Sequence, residues 1–182
     1  MLSREEARAL VSENMTKKNL VKHVLGVEAI MCSLARRLGT DESLWGITGL
    51  LHDLDYERTM DAPDRHGRLT IEILEGRDLP REVFDAILGH AGHKDRNSLL
   101  EKAIYCVDPV TGLIVASTLM HPSRSLAGLD AEFVEKRFKE KRFAAGANRE
   151  AIATCSELGL ELHEFLQISI DAMNSISSEL EL

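Results

Sequence analysis

The sequence predicts an all-α protein, a single helical bundle, on three observations. Apolar residues recur at helical spacing along almost the whole chain. Val, Ile and Thr nowhere alternate with polar residues over a useful length. Aromatic residues, which favour strands, make up only 4% of the 182 residues. A chain of this length is large enough to bury one sizeable core.

Taken in order, Ser3 and Glu6 stand at capping-box spacing and open a first helix over residues 3–14. Thr16 opens a long second helix that Gly39 closes, with Leu20, Val24, Val27, Met31, Leu34 and Leu38 as its apolar stripe. Asp41-Glu42-Ser43 starts a third, which turns Leu44, Ile47 and Leu51 inward. Gly46, Gly49 and Asp53 fall on a neighbouring face, where two missing side chains are expected to leave room beside the carboxylate. A polar loop is expected over 56–65, then a helix over 65–74 ended by Gly76. Pro80 sits where a first helical position belongs, and Val83, Ile87 and His90 follow on one face. Ser98 begins a long apolar helix reaching residue 120. Within it Pro109 removes one hydrogen bond and is expected to kink the chain beside Asp108. Beyond His121-Pro122 come a loop over 122–128 and a short, strongly basic element over 131–143. Asn148 caps a helix towards Leu158, a last amphipathic helix covers 160–176, and residues 177–182 are expected to fray. Residues 1–122 are expected to form the helical core, and 123–182 a helical extension packed on the same domain.

A net charge of −8 argues against duplex nucleic acid as a partner. Cys32, Cys106 and Cys155 are odd in number and widely spaced, which fits reduced thiols better than a disulfide framework. Residues 1–15 carry Arg4, Glu5, Glu6 and Arg8 and no apolar run of signal-peptide type. The uncharged run 109–121 falls short of the roughly 20 residues that cross a bilayer. The expectation is a soluble, cytoplasmic protein with no membrane partner.

The chemistry concentrates around His52-Asp53, where an imidazole nitrogen and a hard carboxylate oxygen adjoin at the end of an apolar helix. Divalent transition metals accept that mixture. His23 lies on the apolar face of the second helix, His66 precedes Gly67 at a helix start, and His90 follows Val83 and Ile87. Asp108 lies between Ile104 and the face of Thr111, Gly112 and Val115. A carboxylate on an apolar face needs a partner, because burying it alone costs several kcal/mol. A shared cation would satisfy all of these groups together. His93 and His121 read as surface or loop residues.

The ordered pattern H…HD…D, here His23, His52-Asp53 and Asp108 on successive helices, resembles the HD-domain superfamily of metal-dependent phosphohydrolases. The resemblance covers roughly residues 17–120. It implies an HD-type bundle holding one or two divalent ions (Fe, Mn, Co, Ni or Zn), and hydrolysis of a phosphate monoester or diester, possibly of a nucleotide. The segments His66-Gly67 and Ala86-Ile87-Leu88-Gly89-His90 resemble the extra ligand elements of two-metal members. They imply His66 and His90 as ligands of a second ion, with Asp53 bridging. Some two-metal subfamilies place consecutive histidines at the later element, whereas here Ala91 follows His90. The GYP-type signature of cyclic-dinucleotide phosphodiesterases is missing.

Beside these six metal-ligand candidates, Asp55 and Glu57 are candidates to orient or deprotonate the attacking water. Arg58 and Lys94, close in sequence to the metal face, are candidates to pair with substrate phosphate. So are Lys139 and Arg142, from the basic run 136–143, in which Phe138 and Phe143 would be anchors. The expected partner is a small phosphoester; the oligomeric state stays open. Two other functions fit the same residues: a di-iron oxygenase on an HD scaffold, and a non-catalytic HD module that binds a nucleotide or signals to a partner.

Overall fold

The computed structural model describes residues 1–182 and contains helices and turns with no strand. Eleven α-helices follow one another: α1 (Arg4–Asn14), α2 (Lys18–Leu38), α3 (Glu42–Leu51), α4 (Tyr56–Thr59), α5 (Arg68–Ile73), α6 (Arg81–His90), α7 (Leu99–Met120), α8 (Ala131–Lys139), α9 (Arg149–Ala153), α10 (Leu162–Ser175) and α11 (Ser177–Leu180). Short 3-10 turns lie at Pro63–Arg65, Leu126–Gly128 and Thr154–Leu158.

Local signals set most helix starts. Ser3 and Ser98 each close a full capping box, with Glu6 and Glu101 reaching back to the cap backbone. Asp41, Asp130 and Asn148 each accept a backbone N–H from the first turn of their helix. In α2, Val24, Val27, Met31 and Leu34 are fully buried, while Leu20 and Leu38 at the ends of the stripe are partly exposed.

The core is built around α2, α3 and α7. Helix α2 lies along α3 on one side and along α7 and α10 on the other, and α7 also meets α6, α8 and α9. By length and composition α7 could cross a bilayer, a property the uncharged-run criterion had missed. It is instead the central helix, with Leu100, Ile104, Val107, Leu113 and Ile114 buried in the bundle. It passes through Pro109 as one continuous helix. The missing N–H there leaves the Tyr105 carbonyl without its usual donor, three residues before Asp108 in the same helix.

Three expectations need correction. Gly46 and Gly49 do not make room beside Asp53; they let α3 press against α2. A Cβ on Gly49 would lie 3.0 Å from the Glu28 backbone, and one on Gly46 would lie 2.6 Å from Cys32 Sγ. The expected loop over 56–65 contains α4, and the helix expected from residue 65 starts at Arg68, after a turn at His66-Gly67. Gly67 has φ +75°, and a Cβ there would meet Ala91 Cβ at 2.7 Å, so only glycine fits that close approach. Residues 177–182 do not fray. They form α11, Leu180 is buried, and Arg8–Glu179 and Lys22–Glu181 ion pairs tie the segment to α1 and α2.

Candidate metal centre

Four helices and one turn bring the six candidate metal ligands to one place. His23 lies in α2, His52 caps the C-terminus of α3 with Asp53 next to it, His90 ends α6, and Asp108 stands midway along α7. His66 comes from the turn before α5. The tight α2–α3 contact through Gly49 is what sets His52 and Asp53 opposite His23.

Asp53 is the hub. Its Oδ2 lies 3.6 Å from His23 Nε2 and 3.6 Å from His52 Nε2, while its Oδ1 lies 3.4 Å from His66 Nε2 and 3.4 Å from His90 Nε2. Asp108 Oδ1 completes the first set, 3.2 Å from His23 Nε2 and 3.9 Å from His52 Nε2. The result is two groups, His23-His52-Asp53-Asp108 and Asp53-His66-His90, with ligand atoms in each within 4.8 Å of one another. Ligands held ~2.1 Å from a common ion stand roughly 3.0–3.4 Å apart, close to these separations.

The four histidines are oriented alike. Each uses Nδ1 for a hydrogen bond away from the centre: His52 to Gly49 O (2.8 Å), His90 to Ile87 O (2.8 Å), His66 to Asp55 Oδ1 (2.9 Å) and His23 to Thr111 Oγ1 (2.8 Å). The Thr111 hydroxyl spends its proton on Asp108 O at 2.9 Å, so it accepts from His23. With Nδ1 protonated and anchored, every neutral ring turns an Nε2 lone pair inward, the tautomer a metal ligand needs. Two consequences support a cation. His52 Nε2 is buried with no hydrogen-bond partner, a costly state for a polar atom. His66 Nε2 and His90 Nε2 face each other at 3.2 Å, and two lone pairs at that distance repel. The donor set, imidazoles with carboxylates, therefore fits divalent transition ions.

Charge follows the same logic. Burial works to raise the Asp53 carboxyl, but the facing imidazoles of His52 and His90 pull it down to about 2. Burial likewise opposes ionisation of Asp108, and the imidazoles of His23 and His52 facing it hold it well below its ordinary value. Both carboxylates are ionised at neutral pH.

The other candidates fare differently. Asp55 is fully buried, and its carboxylate accepts from His66 Nδ1 and from the Thr70 backbone N–H at 3.1 Å. It fixes the His66 ring and is not free to handle a water. Glu57 is half-buried and accepts from the backbone N–H groups of Thr16 and Lys17 at 2.8 and 2.6 Å, where it caps the start of α2. Arg58 donates to Asn14 Oδ1, Lys94 pairs with Asp85 and Glu101, and Lys139 pairs with Glu135 one turn back on α8. Neither these residues nor Arg142 line the cleft at the centre. Each close-by charge meets a nearer partner, which sequence proximity does not reveal. His93 is half-buried rather than a surface residue: its Nε2 meets the His66 carbonyl at 2.7 Å.

A cleft of about 390 Å³ opens over the two groups, walled by Leu20, Tyr56, Tyr105, Pro109, Gly146 and Asn148. Sequence reading missed Thr70 and Thr111 as supports. It also missed both tyrosines and Asn148 as cleft residues. Thr111 and Thr70 had left only a trace, as polar residues on the faces of Asp108 and His66.

This fold and centre define an HD domain, and the chain belongs to that family: the HD domain model matches residues 20–116, which include all six metal-binding candidates. Among curated proteins the chain is similar to ribonuclease Y. It is 25% identical over 167 residues to the protein of Staphylococcus epidermidis, covering 90% of this chain and 32% of that one. To those of Aliarcobacter butzleri and Acholeplasma laidlawii it is 32% and 27% identical over 94 residues, covering 52% of this chain and 18% of each. The chain thus spans at most about a third of the length of these relatives. No solved structure matches it.

Proposed function

We propose that this protein is a metal-dependent phosphohydrolase that uses two ions bridged by Asp53. The observation that carries this reading is the division of Asp53, whose two oxygens face two separate imidazole pairs. Bound divalent ions supply Lewis-acid neutralisation of phosphoryl charge and a water of lowered pKa. The chain's own residues do the rest. His23, His52, Asp53 and Asp108 would hold one ion, and Asp53, His66 and His90 the other. Asp55, Thr111 and the carbonyls of Gly49 and Ile87 keep the four rings aimed. Leu20 and Pro109 give the cleft apolar walls that limit competing water.

For the substrate, we infer a phosphodiester of single-stranded RNA, because the relatives are ribonucleases by name. Tyr56 and Tyr105 flank the cleft and offer ring surface for a base. No lysine or arginine lines the cleft, so the grip on a phosphate would rest on the ions and on neutral donors.

The test is hydrolysis of a panel of phosphoesters by Mn-, Co- and Fe-loaded protein. The panel runs from p-nitrophenyl phosphate and bis(p-nitrophenyl) phosphate to short single-stranded RNA. Turnover abolished by a chelator and restored by metal is expected. Inactivity on the whole panel in a protein shown to hold two ions would refute the reading.

A further inference from the structure

One wall of the cleft comes from far along the chain, and it is held with unusual firmness. The Arg149 guanidinium donates to five backbone carbonyls: Phe138 (3.1 Å), Ala144 (3.0 Å), Ala147 (2.7 Å), Phe143 (2.5 Å) and Arg137 (3.5 Å). No carboxylate pairs with it. Its bonds fold the turn over residues 140–148 around one fork-shaped cation. That turn ends at Gly146 and Asn148, which face the same cleft as Asp53, His66 and Asp108.

Asn148 has a divided side chain. Its amide oxygen caps α9 by accepting the Ala151 N–H at 3.1 Å. A backbone N–H can only donate, so the oxygen must face Ala151 and the NH2 must face the other way. That NH2 makes no hydrogen bond within the protein, and Asn148 is exposed on the cleft. The cleft has no cationic side chain, which makes a fixed neutral donor its natural complement to an anion.

We propose that the Asn148 amide NH2 is a substrate-binding donor, presented by the Arg149-centred turn to a phosphoryl oxygen held over the metal centre. This rests on the proposed phosphohydrolase function for its ligand class, a phosphate group. It assigns to the segment after the HD pattern a direct part in substrate recognition.

The test separates capping from binding. Asn148→Asp and Asn148→Ser both keep a good helix cap, but both remove the NH2, and Asp adds a repelling charge. Inorganic phosphate binding to the Mn-loaded 182-residue chain is measured by calorimetry, beside metal content, melting temperature and hydrolysis of bis(p-nitrophenyl) phosphate. The expected result is an unchanged melting temperature and metal content, with the phosphate Kd raised roughly 10-fold or more in both variants, most in Asn148→Asp. A phosphate Kd unchanged in Asn148→Ser and Asn148→Asp overturns the proposal, and so does a wild-type protein that binds no phosphate. If phosphate binding weakens as expected while no phosphoester is turned over, the donor stands and the hydrolase reading falls. If turnover is normal in both variants and their phosphate Kd is unchanged, the reverse holds.

Discussion

His66 Nδ1 lies 2.9 Å from Asp55 Oδ1, and the other oxygen of Asp55 is taken by the Thr70 N–H at 3.1 Å. Two donors thus converge on one fully buried carboxylate, and this fixes both the ring plane and the tautomer of His66. In Asp55→Asn, one of these donors must face an NH2 instead of an oxygen. The second ion should then bind 10–100-fold more weakly, with the first unaffected. Metal titration followed by mass spectrometry of the native protein should show stoichiometry falling from two towards one. Two tightly held ions in the variant would contradict the assigned role.

Removal of a first-site ligand should be more drastic. His52→Ala and Asp108→Asn each take a donor from the set of four, and phosphoester hydrolysis should fall to background in both. Wild-type protein should melt at a higher temperature as Mn is added, by about 2.7 kcal/mol of stability at a hundredfold excess over Kd. The chelated protein should lose that gain. If His52→Ala kept the full metal-dependent thermal shift, the site would lie elsewhere.

Gly49→Ala would set a Cβ 3.0 Å from the Glu28 backbone, where no flexible side chain can yield. Helices α2 and α3 must then separate, at a cost of about 1–3 kcal/mol. His52 and Asp53 move away from His23 with them. Both melting temperature and metal affinity should drop together. A loss of stability with unchanged metal binding would show that the site tolerates the shift.

Glu101 gives a pH dependence with a definite sign. Burial tends to raise its pKa, but hydrogen bonds from the Asn97 and Ser98 N–H groups and the nearby Lys94 outweigh that, and the net shift is downward. A depressed carboxylate adds stability above its unfolded pKa, about 4.3, and that contribution is lost as pH falls through the folded value. Wild type should therefore exceed Glu101→Gln in melting temperature at pH 7, with the gap closing towards pH 3. A gap that widened on acidification would contradict the sign.

Lys139 already pairs with Glu135 on an exposed helix face, at 3.0 Å. The double change Lys139→Gln and Arg142→Gln should leave KM for a phosphoester within about twofold of wild type, since exposed pairs of this kind contribute little. A large rise in KM would return the basic run to the substrate-binding role that its composition suggests.

The helices and the candidate ligands were legible in the sequence because both are local signals. Val24, Val27 and Met31 mark a buried face by spacing alone, Ser98 and Glu101 announce a helix start, and His23 and Asp108 stand out as polar groups on apolar stripes. Pairing is not local. Asp55 and Glu57 lie two residues apart and looked alike, yet the chain folds Asp55 against Thr70 and leaves Glu57 at the surface to cap α2. Lys94 carried charge that suggested a phosphate site, and only the fold put Asp85 and Glu101 within reach of it. The division of Asp53 between two imidazole pairs, and the Arg149-held wall that brings Asn148 to the cleft, arise the same way. A residue's spacing reveals which face it occupies, but which partner it meets there depends on helices that are distant in the chain and adjacent only once packed.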